Sequence, residues 1–278
     1  MKIIYEKRKT EKIFLFINKK KKDKLKSIIK IDISYDNILI YLIYFILILP
    51  TLIWSKKFIK RKISSNSIIT IKIKGTGTQQ ILSRFYSNSL SSMKIDFKQC
   101  AFTSLPDIIY VNGNPQTVNI YASNLVDSIN TIKMIWNNYL VDCSCMFADI
   151  KSITEVDLSN FDFSKVTSMR AMFINCSSLI SIDLSNLDTT KLKDMHATFA
   201  RCYLLKSINF NNFYTSSVTD MRALFFECNS LENLNLYTFD TSSVTDMYAM
   251  FYRCLSLRQL NLQNFYTSSC YNMEGTHH

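Results

Sequence analysis

A 26-residue repeat, present without an insertion from residue 151 to residue 273, is the feature of this sequence that most constrains its fold. Three residue types recur at this spacing: Met169, Met195, Met221, Met247 and Met273; Phe173, Phe199, Phe225 and Phe251; Cys176, Cys202, Cys228 and Cys254. An insertion would move one unit out of line with its neighbours, so an uninterrupted spacing predicts that each unit stacks on the next. The sequence therefore predicts a solenoid.

The first half of each repeat predicts a short parallel strand. Leu179, Ile182 and Leu184 follow the L-x-x-L-x-L spacing of a leucine-rich repeat, in which alternate side chains enter the core. A second apolar position follows three residues later and predicts a spine under the strands; it holds Phe161, Leu187, Phe213, Phe239 and Phe265.

The second half of each repeat predicts a short helix. Met169, Met172 and Phe173 have the i, i+3, i+4 spacing of one helical face, and the polar residue before each repeated methionine is typical of a helix N-cap. The alanines between them, such as Ala171, would let neighbouring helices approach closely. The predicted fold class is an α/β-type solenoid with a parallel sheet on one face and short helices on the other.

The cysteines admit two interpretations. The repeated cysteines could form a metal or disulfide ladder, but they lack C-x-x-C pairs and an accompanying histidine, so small buried thiols are favoured. Cys143 and Cys145 lie outside this column and are better candidates for redox or pairing chemistry, although a structural role is favoured for them too. The sequence predicts no metal site and no cofactor.

The stretch VDLSNFDFSKVTSMRAMFINCSSL, residues 156–179, resembles BspA-like leucine-rich-repeat proteins in the form built on the unit LSNFDTSKVTDMxxMFxxCSSL. The resemblance covers about residues 150–273. It implies a surface-exposed protein, since such proteins are common on mycoplasma-type and other microbial surfaces and some are adhesins that bind host matrix or other cells. One departure is that Phe or Leu occupies the position of the buried asparagine ladder found in other leucine-rich repeats.

The positive charge of the chain is concentrated before the repeats. Residues 1–36 carry 12 basic and 5 acidic residues, and residues 56–62 carry 5 basic residues and no acidic one, in a chain of net charge +11. The charge after residue 62 is therefore nearly balanced, which excludes nucleic acid as an expected partner of the repeats.

An uncharged stretch of 17 residues, 38–54, lies between these two basic segments. Its length and its tyrosine and tryptophan residues favour a transmembrane helix over the alternatives of a secretory signal or a buried strand. The sequence thus predicts a basic tail (1–36), a transmembrane helix (37–55) and a basic linker (56–67) of a single-pass membrane protein, with the repeats extracellular.

Residues 68–150 predict a β-rich capping region before the repeat array of 151–278. Strands are expected at residues 69–75, at residues 108–115 around an Asn112-Gly113 hairpin turn, and at residues 131–136. A degenerate first repeat over 140–147 aligns Cys143 with Met169. At the other end the chain stops within a repeat, at His277 and His278, so either the array continues in a longer protein or its uncapped edge pairs with a partner, including end-to-end self-association.

The outward positions of the predicted strands form a polar face, the usual ligand face of such stacks. Amides, hydroxyls and one tyrosine suit a protein or glycan ligand, although a merely solvated face is equally expected. The candidate ligand-face residues are Asp157, Asp183, Asn209, Asn211, Asn233, Asn235, Tyr237, Gln259, Asn261 and Gln263.

No catalytic arrangement is expected. The chain has three histidines, of which His196 is predicted on an exposed helical position, and none accompanies a nucleophile and a carboxylate. The sequence therefore predicts a membrane-anchored, non-enzymatic recognition protein. The alternative is an assembly module that pairs through its last repeat.

Overall fold

The computed structural model describes residues 66–83 and 102–275, which contain eleven β-strands and no helix. The strands are β1 (Ser67–Lys74), β2 (Gly77–Gln80), β3 (Ile108–Val111), β4 (Asn114–Gln116), β5 (Tyr121–Leu125), β6 (Ile129–Trp136), β7 (Ile153–Asn160), β8 (Ser181–Asp183), β9 (Ser207–Asn209), β10 (Asn233–Leu234) and β11 (Gln259–Leu260).

The largest sheet has five strands in the order β4-β3-β6-β1-β7. β1 alternates buried isoleucines, including Ile69 and Ile71, with half-exposed polar residues, because successive side chains of a strand face opposite sides. The three strands predicted before residue 140 are confirmed as β1, β3 and β6. The hairpin turn is confirmed as well: Asn112 and Gly113 have φ of 48° and 82°, the two positive values that a type I′ turn requires.

β1 connects the N-terminal strands to the repeats. It pairs antiparallel with β6 on one side and with β7, the strand of the first repeat, on the other, where Ile71 lies opposite Val156. The backbone edge of β7 is therefore hydrogen-bonded rather than open. β2 and β5 form a separate two-stranded antiparallel sheet, in which Gly77 pairs with Leu125.

Successive repeats lie on one another in 26-residue register. Single parallel bridges join Asp142, Ser168, Asp194, Asp220, Asp246 and Asn272 in turn. The repeated phenylalanines, from Phe147 to Phe251, form one stack with ring centroids 5.5–6.1 Å apart. The predicted alignment of Phe on Phe is confirmed, as is the degenerate repeat, since Cys143 N–H donates to Ser168 O at 2.9 Å.

The predicted short helices are wrong, because the segments that follow each repeated methionine are turns. In a helix every N–H bonds within the segment, whereas here the bonds alternate. Met169 N–H donates to Asp194 O in the next repeat at 3.0 Å, and Met172 N–H then donates back to Met169 O at 3.0 Å. Ala171, between them, has φ of 50°, a left-handed conformation that no right-handed helix contains.

The predicted parallel sheet is also wrong in extent. β8 pairs with β9 and β10 with β11, both in parallel, but the strands are two or three residues long and belong to separate two-stranded sheets. The predicted α/β-type solenoid with a sheet face and a helix face is therefore wrong. The described residues form strands and turns without a helix, and every strand pair of the largest sheet is antiparallel.

The membrane prediction requires a correction too. None of the described residues belongs to a helix that could cross a lipid bilayer. The basic tail (1–36), the apolar stretch 38–54 and residues 56–65 of the basic linker lie outside the described residues, as do His277 and His278. The prediction of a single-pass membrane protein with extracellular repeats therefore has no support in the described residues.

Buried hydroxyl and thiol side chains join the repeats on the inside. Three threonines, Thr189, Thr215 and Thr241, are at most 2% exposed. The hydroxyl of each donates to the backbone carbonyl of one residue in the next repeat and accepts from the backbone N–H of that partner residue. The repeated cysteines are free and buried, as predicted. Each thiol donates to a phenylalanine carbonyl of the preceding repeat at 3.1–3.2 Å.

Candidate functional site

The outward residues of β7–β11 form a polar surface, which we name the strand face. Nine of the ten candidate residues are exposed, and Asn209 is half-exposed. Alternate strand residues such as Ile182 and Ile208 point inward and are 5–6% exposed. The period of two that defined these candidates is therefore present in the structure, even though the strands are short.

Half of the candidate residues also shape the backbone. The side-chain oxygen of each accepts a hydrogen bond from the N–H two residues later, at 2.8–3.1 Å, which turns the chain away at the strand end. The residues with this role are Asp157, Asp183, Asn209, Asn235 and Asn261. The second oxygen of each aspartate and the NH2 group of each asparagine take no part in these backbone bonds.

The N-terminal end of the strand face contains an acidic pocket between β7 and β8, with a volume of about 290 Å³. Its carboxylates come from Glu155, Asp157 and Asp183, and its floor includes Val156 and Ile182. Backbone hydrogen bonding from Ser185 lowers the pKa of the Asp183 carboxyl, so this group is ionised at neutral pH.

Lys72 of β1 forms an ion pair with one carboxylate of this pocket. Its ammonium lies 2.7 Å from Glu155 Oε2, and both side chains are about half exposed. A single lysine of the chain thus neutralises one of the three carboxylates, and Asp157 and Asp183 retain their negative charge toward solvent.

The opposite end of the strand face carries amides and an aromatic ring. Tyr237 is 73% exposed, and its carbonyl accepts a hydrogen bond from Asn264 Nδ2 at 2.7 Å. Gln259, Asn261 and Gln263 extend this neutral surface over the next repeat, where all three are exposed. The strand face is therefore acidic at one end and neutral at the other.

Sequence reasoning missed two residues at the acidic pocket. Asn186 lines the pocket, and Lys72 pairs with its Glu155 carboxylate. Lys72 could not have been found from the sequence, since 83 residues separate it from Glu155 and only the pairing of β1 with β7 brings them together.

The predicted exposed position of His196 is wrong: the residue is 2% exposed. Burial, and secondarily the charge of Arg170, lowers the pKa of its imidazole to about 3. Its Nδ1 lies 3.9 Å from Asp220 Oδ2. An imidazole without access to solvent cannot meet a substrate.

The remaining chemical groups of the described chain offer no alternative centre. No group of three or more His, Cys, Asp or Glu residues in this part of the chain is arranged to hold a metal ion. Burial raises the pKa of the Cys143 and Cys176 thiols. Cys145 is disulfide-bonded, whereas its neighbour Cys143 is free and buried.

Comparison with known families gives a match over the repeats. Residues 141–233 and 204–278 match the model of the family described as "Mycoplasma protein of unknown function, DUF285". The repeats are similar to a Mycoplasma-type repeat family. The two matches overlap and together begin at the degenerate repeat, so the N-terminal strands β1–β6 lie outside the similarity. No curated protein matches the chain, and no solved structure matches it.

Proposed function

We propose that this protein is a non-enzymatic recognition protein whose strand face binds a protein ligand, in the form of an extended polypeptide with basic side chains. The observation that carries this proposal is the acidic pocket, in which Lys72 pairs with Glu155, while Asp157 and Asp183 form no ion pair with a described residue. A lysine or arginine of a ligand would bind at Asp157 and Asp183, whose negative charge is opposite to its own.

The rest of the strand face supports an elongated ligand. The exposed amides and Tyr237 continue from the acidic pocket across three further repeats, and an exposed aromatic ring surrounded by amides is typical of recognition surfaces. The resemblance to BspA-like leucine-rich-repeat proteins, some of which are adhesins, agrees with a binding function.

The first experiment measures the affinity of the purified protein for an octapeptide of alternating lysine and threonine by calorimetry. Asp157→Asn combined with Asp183→Asn should weaken binding roughly tenfold, equivalent to about 1.4 kcal/mol. Asparagine retains the oxygen that accepts the backbone N–H, so the fold is kept while both charges are removed. Raising the salt concentration should weaken binding to the unchanged protein as well.

Two controls accompany this experiment. Asp188→Asn removes an exposed carboxylate that also accepts a backbone N–H but is not in the pocket, and it should leave the affinity unchanged. The lysine-acetylated peptide should bind no better to the unchanged protein than to the double variant. Equal affinity of the double variant and the unchanged protein for the lysine peptide would refute the proposal.

A glycan ligand is the alternative occupant of the same face. It would contact the neutral end, and Tyr237→Ala would then abolish binding to a glycan array while the pocket variants would not. Binding of glycans with this dependence, and no binding of the basic peptide, would replace the polypeptide proposal.

A second candidate function is assembly through the last repeat. Leu257, Leu260, Leu262 and Phe265 are half-exposed, whereas the corresponding residues one repeat earlier, from Leu231 to Phe239, are at most 4% exposed. Sedimentation of the protein at tens of micromolar would show dimers that Leu260→Lys dissociates. A strict monomer at that concentration would exclude this candidate.

A further inference from the structure

A second concave surface lies among the N-terminal strands, away from the strand face. It is a groove of about 930 Å³ between the β3–β4 hairpin and the β2–β5 sheet, a volume typical of small-molecule sites. None of the strand-face candidates lines it. The lining residues that bear on its ligand are Gln116, Asn119, Tyr121, Asn124, Val126 and Asp127.

Two amides hold the walls of this groove together. Asn112 Nδ2 donates to Asn130 Oδ1 at 2.9 Å, and Asn112 Oδ1 accepts from Thr131 N–H at 2.8 Å. Gln116 Nε2 donates to Ser123 O at 2.8 Å, and Gln116 Oε1 accepts from Ser123 N–H at 3.3 Å. The groove is thus formed before any ligand arrives, which reduces the entropy lost on binding.

Other amides keep hydrogen-bonding capacity for a ligand. The Asn124 side chain is exposed and has no hydrogen bond to any described residue. Asn119 uses only its oxygen, which accepts from Ile120 N–H at 2.7 Å, so its NH2 group is available. An amide offers two donors and an oxygen acceptor, which matches hydroxyl groups that both donate and accept.

The charge and apolar surface of the groove restrict the ligand further. Among the described residues that line the groove, Asp127 is the only ionisable group besides the Tyr121 phenol, and none is a lysine, arginine or histidine, so these walls lack the cations that an anionic ligand requires. The rings and methyl groups of Tyr121 and Val126 are 47% and 77% exposed and offer apolar contact beside the amides.

A polypeptide is a poor occupant of this groove. β4 is the edge strand through which a peptide would add to the sheet, but Pro115 has no N–H to donate there. The Gln116 side chain already pairs with the Ser123 backbone, which occupies the position of a further strand.

We propose that the groove binds a neutral oligosaccharide of two or three sugar units. The amides of Asn119 and Asn124 bond to its hydroxyl groups, and a sugar ring packs its C–H face against Tyr121. This site is independent of the strand face, so its occupant is recognised by β1–β6 and not by the repeats.

The test titrates the full chain with neutral trisaccharides of glucose, galactose and N-acetylglucosamine, using saturation-transfer NMR and calorimetry. At least one of these trisaccharides should bind saturably. The double substitution Asn124→Gly and Tyr121→Thr should lower the affinity for that trisaccharide roughly tenfold or more. Glycine keeps the positive φ of 57° at position 124, and threonine suits the strand at position 121, so both changes preserve the backbone.

The Asp157→Asn, Asp183→Asn variant is the matched control and should bind the trisaccharide as the unchanged protein does. A sulfated oligosaccharide of the same length should not bind. Failure of all three neutral trisaccharides to bind the unchanged protein, or binding that the groove variant retains in full while its thermal unfolding is unaltered, would overturn the proposal. Neither result affects the basic-peptide experiment.

Discussion

At the scale of single residues, buried polar side chains determine how the repeats are joined. Thr215 accepts from Asp240 N–H and donates to Asp240 O, both at 2.9 Å, and it is fully buried. Thr189 and Thr241 make the same pair of bonds, and the three residues form a threonine ladder between repeats, because a hydroxyl both donates and accepts.

Thr215→Val tests the contribution of this ladder. Valine has nearly the same shape, but it leaves the N–H and carbonyl of Asp240 without their partner, so the free energy of unfolding should fall by about 2 kcal/mol. Urea denaturation measures the change. Thr219→Val is the control: Thr219 is exposed, and water can replace its 3.3 Å bond to Lys193 O, so a comparable loss there would contradict the ladder.

His196 makes the stability of the protein depend on pH. Its pKa is lowered to about 3 in the folded chain by burial, against 6.5 for the unfolded chain, so the folded state holds the imidazole neutral. Between these values the unfolded state binds more protons. The contribution of the neutral His196 imidazole to the free energy of unfolding is complete above pH 6.5. It is lost as the pH falls below that value, at about 1.4 kcal/mol per pH unit.

Urea midpoints at about pH 7.0, 5.5 and 4.5 for the unchanged protein and for His196→Gln separate this contribution from others, because the first pH lies above the range in which the folded and unfolded states differ in bound protons and the other two lie within it. Asp194 and Asp246 have raised pKa values through burial and act in the opposite direction, but they are common to both proteins. The difference in urea midpoint between the unchanged protein and His196→Gln should narrow steadily as the pH falls. A difference that stays constant with pH would refute a buried neutral imidazole.

At the scale of elements, the turn segments after each repeated methionine replace the helices that the sequence predicts. Met169, Met172 and Phe173 do share the core, as their spacing indicates, because a chain of tight turns can also bring residues i, i+3 and i+4 to one side. What the spacing does not encode is the conformation of Ala171 and its counterparts Ala197, Ala223 and Ala249, which all have φ of 50–53°. Propensity favours alanine in helices, and only contact with the adjacent repeat overrides it.

A single-residue insertion distinguishes a turn segment bonded to its neighbours from an independent helix. In the segment around Ala223, Ala223 N–H donates to Tyr248 O at 2.8 Å and Phe225 N–H to Met250 O at 2.9 Å. An alanine inserted after Ala223 shifts every later donor away from its acceptor, so cooperative unfolding in urea should be abolished or strongly weakened. An alanine inserted after Gly113 only lengthens an exposed hairpin turn and should cost little. Tolerance of both insertions would contradict the bonding pattern.

At the scale of the whole molecule, one hydrophobic core runs from the five-stranded sheet through the repeats. It includes Ile71 of β1, Trp136 of β6 and every buried phenylalanine of the stack. Because each repeat buries its neighbour, side chains in the middle of the array reach solvent only when several repeats open together.

Thiol labelling measures this cooperativity. Cys270 is the half-exposed free cysteine of the last repeat, whereas Cys202 and Cys228 are fully buried and burial raises the pKa of their thiols. N-ethylmaleimide followed by peptide mass spectrometry should show rapid modification of Cys270. Modification of Cys202 and Cys228 should occur only at the rate of global unfolding, and rapid labelling of either in the folded protein would contradict a continuous core.

The sequence by itself determined the repeat length, the residues that face the core and the alignment of Phe173 on Phe199, because each of these follows from a fixed spacing of apolar side chains. It also determined the hairpin at Asn112 and Gly113, where the turn type depends on local chemistry alone. Only the tertiary structure decided that the methionine segments are turns, that His196 is buried, and that Lys72 meets Glu155. The physical reason is that these three features depend on hydrogen bonds and burial supplied by residues at least one repeat away, which no local pattern contains.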